Sequence, residues 1–183
     1  MKKEVSIHIG ELYASKKPAV VHTLLGSCVA VCLFDPIRRI GGMNHILLPG
    51  NGDAKPFSES IRYGINAMEL LINMIMNLGG KRSRLLAKAF GGGHILSGIL
   101  EEDGPGQKNI KFVLEFLKVE GINLISRNLG GYDSRRIYFH TDTGDVFLKR
   151  IAPVNLERIA AEEQKRLRQI EKELKKPTDV TFF

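Results

Sequence analysis

The chain has 183 residues, 43% of them hydrophobic and 26% charged, a balance that suits one globular unit and excludes a fibrous or wholly disordered chain. Its apolar runs, such as Val29 to Phe34 and Ile46 to Leu48, fall far short of the roughly 20 residues of a membrane helix, so no membrane insertion is expected. The net charge of +7 comes from basic residues dispersed along the chain, with no dense basic run interleaved with aromatics; it suggests attraction to an acidic protein surface and not nucleic-acid binding.

The opening Met-Lys-Lys-Glu-Val-Ser-Ile-His-Ile lacks the apolar core and cleavage site of a signal peptide, which predicts a cytoplasmic location. Val5, Ile7 and Ile9 alternate with polar neighbours and predict a half-buried first strand. Ala19 to Leu25 and Cys28 to Phe34 predict two more, separated at Gly26-Ser27, and Met43 to Leu48 a fourth before Pro49. In the Cys28 to Phe34 strand, Cys28 and Cys32 share a face about 13 Å apart, beyond the about 7 Å limit for a disulfide.

From Ser58 as N-cap, Ile61, Ile65, Met68, Ile72 and Ile75 or Met76 recur at helical spacing until Gly79-Gly80. Leu85 to Phe90 predicts a strand entering Gly91-Gly92-Gly93, where a close backbone approach is expected; the triple glycine lacks the Lys-Ser or Lys-Thr of a nucleotide-binding loop. Ile110, Val113, Leu114 and Leu117 predict a second helix ending at Gly121, and Ile122 to Ser126, Arg136 to Thr141 and Asp145 to Lys149 three short strands. Asn155 to Lys176 predicts a last helix with a thin apolar stripe that Glu163 interrupts, which favours packing on the domain over a self-associating coil. Strands outnumber helices and hairpin-length turns join several of them, so the expected class is α+β.

Chemistry concentrates in the first half. Gly26-Ser27-Cys28 puts a thiol after a flexible break at the start of a strand, where solvent can reach it. A cysteine with pKa about 8.5 needs a basic partner to become a thiolate at neutral pH. His45 is the first candidate because its strand can pair beside that of Cys28, while His8, His22, His94 and His140 stay open. The bland alternative makes Cys28 a small buried apolar residue and His45 a core histidine satisfied by a carbonyl. Cys32 fits that alternative better, and the scattered cysteines and histidines show no pattern for a metal.

Thr-Leu-Leu-Gly-Ser-Cys-Val-Ala-Val-Cys-Leu-Phe-Asp-Pro from Thr23 to Pro36, followed by Gly-Gly-Met-Asn-His-Ile-Leu-Leu-Pro from Gly41 to Pro49, closely resembles the CheD family of chemoreceptor glutamine deamidases. The resemblance continues at Ile9 to Tyr13, Lys88 to Gly93, Asn109-Ile110, Leu117 to Ile122 and Leu129 to Gly131, about residues 4 to 151 in all. It implies a deamidase domain over residues 1–152 and a helical extension over 153–183. The implied fold is a three-layer α/β/α sandwich with mixed or antiparallel sheets, similar to the catalytic domain of the cytotoxic necrotizing factor toxins. The implied site is a cysteine, histidine and threonine triad without cofactor or metal: Cys28, His45 and Thr23. The family places the third member five or six residues before the cysteine, at Thr23 or His22, and Thr23 keeps the residue type. Ser134 stands where the family usually has glycine, which bears on the local turn.

The implied reaction converts receptor glutamines to glutamate through a Cys28 thioester. Implied partners are the helical cytoplasmic part of chemoreceptors and the CheC phosphatase, whose regulation is a competing role for the chain. A cysteine peptidase or acyltransferase outside chemotaxis would share the nucleophile but leave the second half of the chain unexplained.

Overall fold

A computed structural model describes residues 2–49, 59–94, 104–151 and 156–174. The described elements run β1 (Lys3–Ser6), β2 (Leu12–Ser15), β3 (Ala19–Leu25), β4 (Val29–Asp35), β5 (Ile40–Ile46), α1 (Glu59–Asn77), β6 (Leu86–Gly91), α2 (Pro105–Val119), β7 (Asn123–Leu129), β8 (Ser134–His140), β9 (Val146–Ile151) and α3 (Leu156–Leu174). Strands order as β1-β3-β8-β9 in one sheet and β2-β5-β4-β6-β7 in the other. Both sheets are mixed: β1 runs parallel to β3 and β6 parallel to β7, while the other pairs are antiparallel. The class is α+β, as the sequence predicts.

β4 explains the unbroken apolar run around the cysteines. It lies mid-sheet with a core on each face, so alternation of polar and apolar residues disappears. Val29, Val31 and Leu33 meet α1 and α2 together with Ile40, Ile46, Met68, Ile72, Val113 and Leu117. Cys28, Ala30 and Cys32 face the other sheet and pack with Val21, Leu25, Met43, Ile137 and Phe139. Gly42 makes the first packing possible: a Cβ there would lie 2.7 Å from both Ala14 Cβ and Leu71 Cδ1, so only glycine lets α1 and β2 close on β5.

The layer order departs from the expected α/β/α. Helices α1 and α2 cover one face of the five-stranded sheet, and its other face packs on the four-stranded sheet, giving helices, sheet, sheet. The two interior faces carry apolar residues, so burial is satisfied by a sheet where a helical layer was expected. α3 instead crosses the end of the sandwich. Its first turns lie beside His22, Leu24 and Arg136, its middle beside Ile9 and Gly10, and the charges of Arg166 and Glu173 reach Tyr63 of α1.

Some boundaries differ from the sequence reading. β2 has no counterpart in it, because four residues without alternation gain strand identity only by pairing with Gly41–Asn44 of β5. The α1 stripe is rotated: Ile65 is 42% exposed, and Gly64 is buried where Phe112 of α2 approaches. The expected N-cap Ser58 lies outside the described residues. α2 begins with Pro105 in its first turn, and Gly121 at φ 64° follows its end, with Ile122 N–H donating to Leu117 O at 2.9 Å. No described helix is long and apolar enough to cross a membrane.

Candidate active site

Strand parity decides what faces what. Thr23 on β3 is turned inward with Val21 and Leu25, and His22 is turned to the outer side, where its ring lies 5.8 Å from that of Tyr138. On β5, Met43 faces the neighbouring sheet, so His45, two residues on, does too. His45 pairs directly with Ala30 of β4, which puts Cys28 at the diagonal position, about 7–8 Å away by backbone and within reach of an imidazole. Thr23, Cys28 and His45 therefore converge from three strands of two sheets.

Hydrogen bonds fix the imidazole. Thr23 Oγ1 donates its one proton to Ile7 O at 2.7 Å and lies 2.7 Å from His45 Nδ1. With the hydroxyl proton spent on Ile7, Nδ1–H has to be the donor to Thr23, which leaves Nε2 as the ring's free lone pair. Nε2 is buried and has no partner among the described atoms. Burial, with a smaller contribution from the charge of His8, lowers the His45 pKa to about 3, so the resting ring is neutral and its Nε2 unprotonated. The backbone of His45 is clamped as well, its N–H donating to Glu11 O at 3.0 Å and its carbonyl accepting from Gly10 N–H at 2.8 Å. Of the two candidates for the third position, Thr23 bonds the ring, and His22 points away from it.

The turn from Gly26 to Cys28 is held by its carbonyls. Gly26 O accepts from Gly93 N–H at 2.7 Å, Ser27 O from Asn109 Nδ2 at 2.9 Å, and Cys28 O from Gly92 N–H at 2.7 Å. The expected close approach of the triple glycine is here: a Cβ on Gly91, whose φ is 113°, would stand 2.1 Å from Cys28 O. With all three carbonyls engaged on one side, the N–H groups of Gly26, Ser27 and Cys28 point the other way, as a small anion-binding nest.

A carboxylate occupies that nest. Glu163 of α3 accepts from Gly26 N–H at 3.2 Å and Cys28 N–H at 3.3 Å through Oε1, and from Ser27 N–H at 3.2 Å and the Ser27 hydroxyl through Oε2. The Cys28 thiol also donates to Oε1, at 3.0 Å. Burial, then the negative charge and hydrogen bond of Glu163, push the Cys28 thiol well above its ordinary pKa. The expectation that solvent reaches Cys28 is overturned: the thiol is fully buried, because Glu163 and α3 cover it. In the sequence Glu163 shows only as a break in the apolar stripe. It is flanked on that stripe by buried Ile159 and Ile170, and a lone acid between buried positions was the available signal.

Beside this cluster lies a cavity of about 340 Å³, lined on the domain side by Ile7, His22, Thr23, His45 and Arg136 and on the α3 side by Arg158 and Glu162 among others. Of the remaining histidines, His8 is exposed and lines the same cavity, whereas His140 Nδ1 lies 3.1 Å from Lys2 Nζ and His94 packs edge-on against Tyr132. Cys32 is buried between the sheets, and both cysteines are free thiols. Ser134 opens β8 fully buried, and the preceding turn is held by Arg135, which donates to Asn128 O, Gly130 O and Asp133 O. Among the described residues, no three His, Cys, Asp or Glu side chains converge as a metal site requires. The arrangement offers a neutral base, a thiol and oriented amides, the parts needed for nucleophilic attack on a carbonyl.

Comparison with known proteins points the same way. The family described as CheD chemotactic sensory transduction matches residues 47–150. A probable chemoreceptor glutamine deamidase CheD 1 of Shewanella oneidensis is 44% identical over 156 residues, 84% of this chain and 75% of that one. A similarly named protein of Thiobacillus denitrificans is 43% identical over 157 residues, 85% and 77% of the two chains. One of Vibrio vulnificus is 37% identical over 182 residues, 95% and 84% of the two. The last match runs beyond residue 151, where the sequence reading ended the resemblance, and so takes in part or all of α3. By these similarities, over most of its length, the chain belongs to the CheD family.

Proposed function

We propose that the protein hydrolyses glutamine side chains of methyl-accepting chemoreceptors to glutamate, releasing ammonia, with Cys28 as nucleophile, His45 as base and Thr23 as the group that orients the ring. The observation that carries this reading is the Thr23–His45 bond, which leaves Nε2 as an unshared lone pair on the face that carries Cys28. In the reaction, Nε2 takes the thiol proton and Sγ attacks the carboxamide carbon. The developing oxyanion sits in the nest of Gly26, Ser27 and Cys28 amides. The imidazolium returns the proton to the leaving nitrogen, the C–N bond breaks and ammonia departs, leaving a thioester. Water, deprotonated by the same nitrogen, then cleaves the C–S bond, giving glutamate and the free thiol. The names of the relatives supply the substrate class, and a cytoplasmic location follows from a target in the receptor's cytoplasmic part.

We assign residues 1–152 to the deamidase unit and 153–183 to a helical extension, on the ground that all the proposed catalytic groups precede residue 152. A kinship with the catalytic domain of the cytotoxic necrotizing factors belongs to the same reading; it is supported by a thiol at the head of a mid-sheet strand with a histidine on the adjoining strand. The test is peptide mass spectrometry of receptor cytoplasmic fragments incubated with the protein and with Cys28→Ala. Glutamine-to-glutamate conversion by the parent alone establishes the reading. Absence of conversion, with CheC bound, would make the protein a regulator of that phosphatase.

A further inference from the structure

We propose that α3 lies in the groove that receives the substrate, with Glu163 standing where the glutamate product of deamidation stands, so that the free chain is inhibited by its own pseudo-product and the target glutamine is presented on an amphipathic helix. This rests on the deamidase reading of the same site. The observation behind it is chemical identity: the side chain that deamidation leaves behind is a glutamate γ-carboxylate, and a glutamate fills the nest, with both oxygens on turn amides and one on the nucleophile's sulfur. No other described group competes for those amides. The carboxylate is delivered by a helix, anchored four residues before Glu163 by Ile159 and seven residues after it by Ile170, both buried, while Arg166 Nε donates to Ile9 O at 3.2 Å. A substrate helix entering the same groove would need an aliphatic residue one turn before its glutamine and another about two turns after it.

Occupancy has two consequences. The carboxylate holds the Cys28 proton, so the nucleophile is resting as a thiol. A tethered helix also competes at the high effective concentration of an intramolecular ligand, so substrate has to displace it. A carboxamide at position 163 keeps one oxygen for the Gly26 and Cys28 N–H groups, while its N–H₂, which cannot accept from Ser27 N–H, has to turn out of the nest. The Glu163→Gln variant is then an internal substrate: Sγ attacks its carboxamide carbon, ammonia leaves, and water hydrolyses the thioester to regenerate Glu163.

The experiment is to purify Glu163→Gln and the double variant Cys28→Ala with Glu163→Gln, and follow position 163 by peptide mass spectrometry. Exposed Gln164 and Gln169 on the same helix serve as internal controls. The expected result is conversion of the introduced carboxamide alone, lost in the double variant. In parallel, Glu163→Ala should raise the rate of Cys28 alkylation by iodoacetamide roughly tenfold or more, since a charge-assisted bond and its cover are removed, and should raise conversion of a receptor fragment. Persistence of the carboxamide at position 163 while receptor glutamines are converted overturns the groove assignment and leaves the deamidase reading standing. Unchanged Cys28 alkylation in Glu163→Ala, with a melting profile like the parent's, overturns the inhibitory role of α3. Failure of conversion at position 163 and at the receptor removes the deamidase reading and this inference with it.

Discussion

Thr23 shows how much one hydroxyl can decide. It has a single proton, and Ile7 O takes it; the imidazole is thereby forced to donate from Nδ1 and to keep its basic lone pair on Nε2. Thr23→Val preserves shape and burial but leaves Nδ1–H unpaired in the core, at a cost of about 1–3 kcal/mol, and frees the ring to choose the wrong tautomer. We expect kcat for glutamine conversion to fall by about 10- to 100-fold, with Thr23→Ser recovering most of it, measured as single-turnover conversion of a receptor fragment. Equal rates for the valine and serine variants would remove the orienting role. Cys28 and His45 could be named as candidates from a glycine break and an adjoining strand, whereas Thr23 came only from the family resemblance; the structure puts Thr23 Oγ1 2.7 Å from His45 Nδ1. Glu163 was not legible in the sequence, since an acid in a helix stripe ordinarily marks a solvated edge, and its approach to the turn depends on where a distant helix docks.

Between elements, Asp35 is the clamp that the sequence showed only as the end of a strand. Buried at the foot of β4, its carboxylate receives the N–H groups of Ile37, Arg38 and Lys81 and a two-nitrogen contact from Arg84. Burial raises its pKa, but the bonds from Arg84 and the amides outweigh it and bring it down to about 2. The effect is to tie the β4–β5 turn to the segment that leads into β6, so both neighbours of the nucleophile strand are set from one residue. Asp35→Ala should destabilise the fold by about 3 kcal/mol, read as a lower urea midpoint at unchanged slope, because it strands Arg84 and three amides together. β3 could be bounded and the two internal helices placed from sequence, since each has its own period, but the start of α2 at Pro105 could not, because Pro105-Gly106 carries no apolar period. The parallel pairing of β1 with β3 and of β6 with β7 could not, because register between distant segments is set by packing and leaves no local mark.

For the molecule as a whole, the site and its surroundings set the pH range over which the fold is stable. His45 has its folded pKa depressed from 6.5 to about 3, so below 6.5 the unfolded chain binds a proton that the folded chain refuses, and stability falls as pH drops toward 3. Asp35, depressed from 3.8 to about 2, continues the loss over the next interval in the same direction. On the alkaline side, burial raises Cys28 and Cys32 above 9.0, so the unfolded chain releases thiol protons first and stability falls as pH climbs beyond 9.0. Between about 6.5 and 9 these groups carry the same charge in both states and contribute no slope. Urea titrations across this range should therefore give a plateau with an acid flank of on the order of 4 kcal/mol between pH 6.5 and 3, most of it from one histidine. His45→Gln should flatten the flank above pH 4 while leaving the Asp35 step below it. Its alkaline flank should match that of the parent, because the thiols are still buried, and a flank above pH 4 as steep as the parent's would show that other groups carry the acid sensitivity.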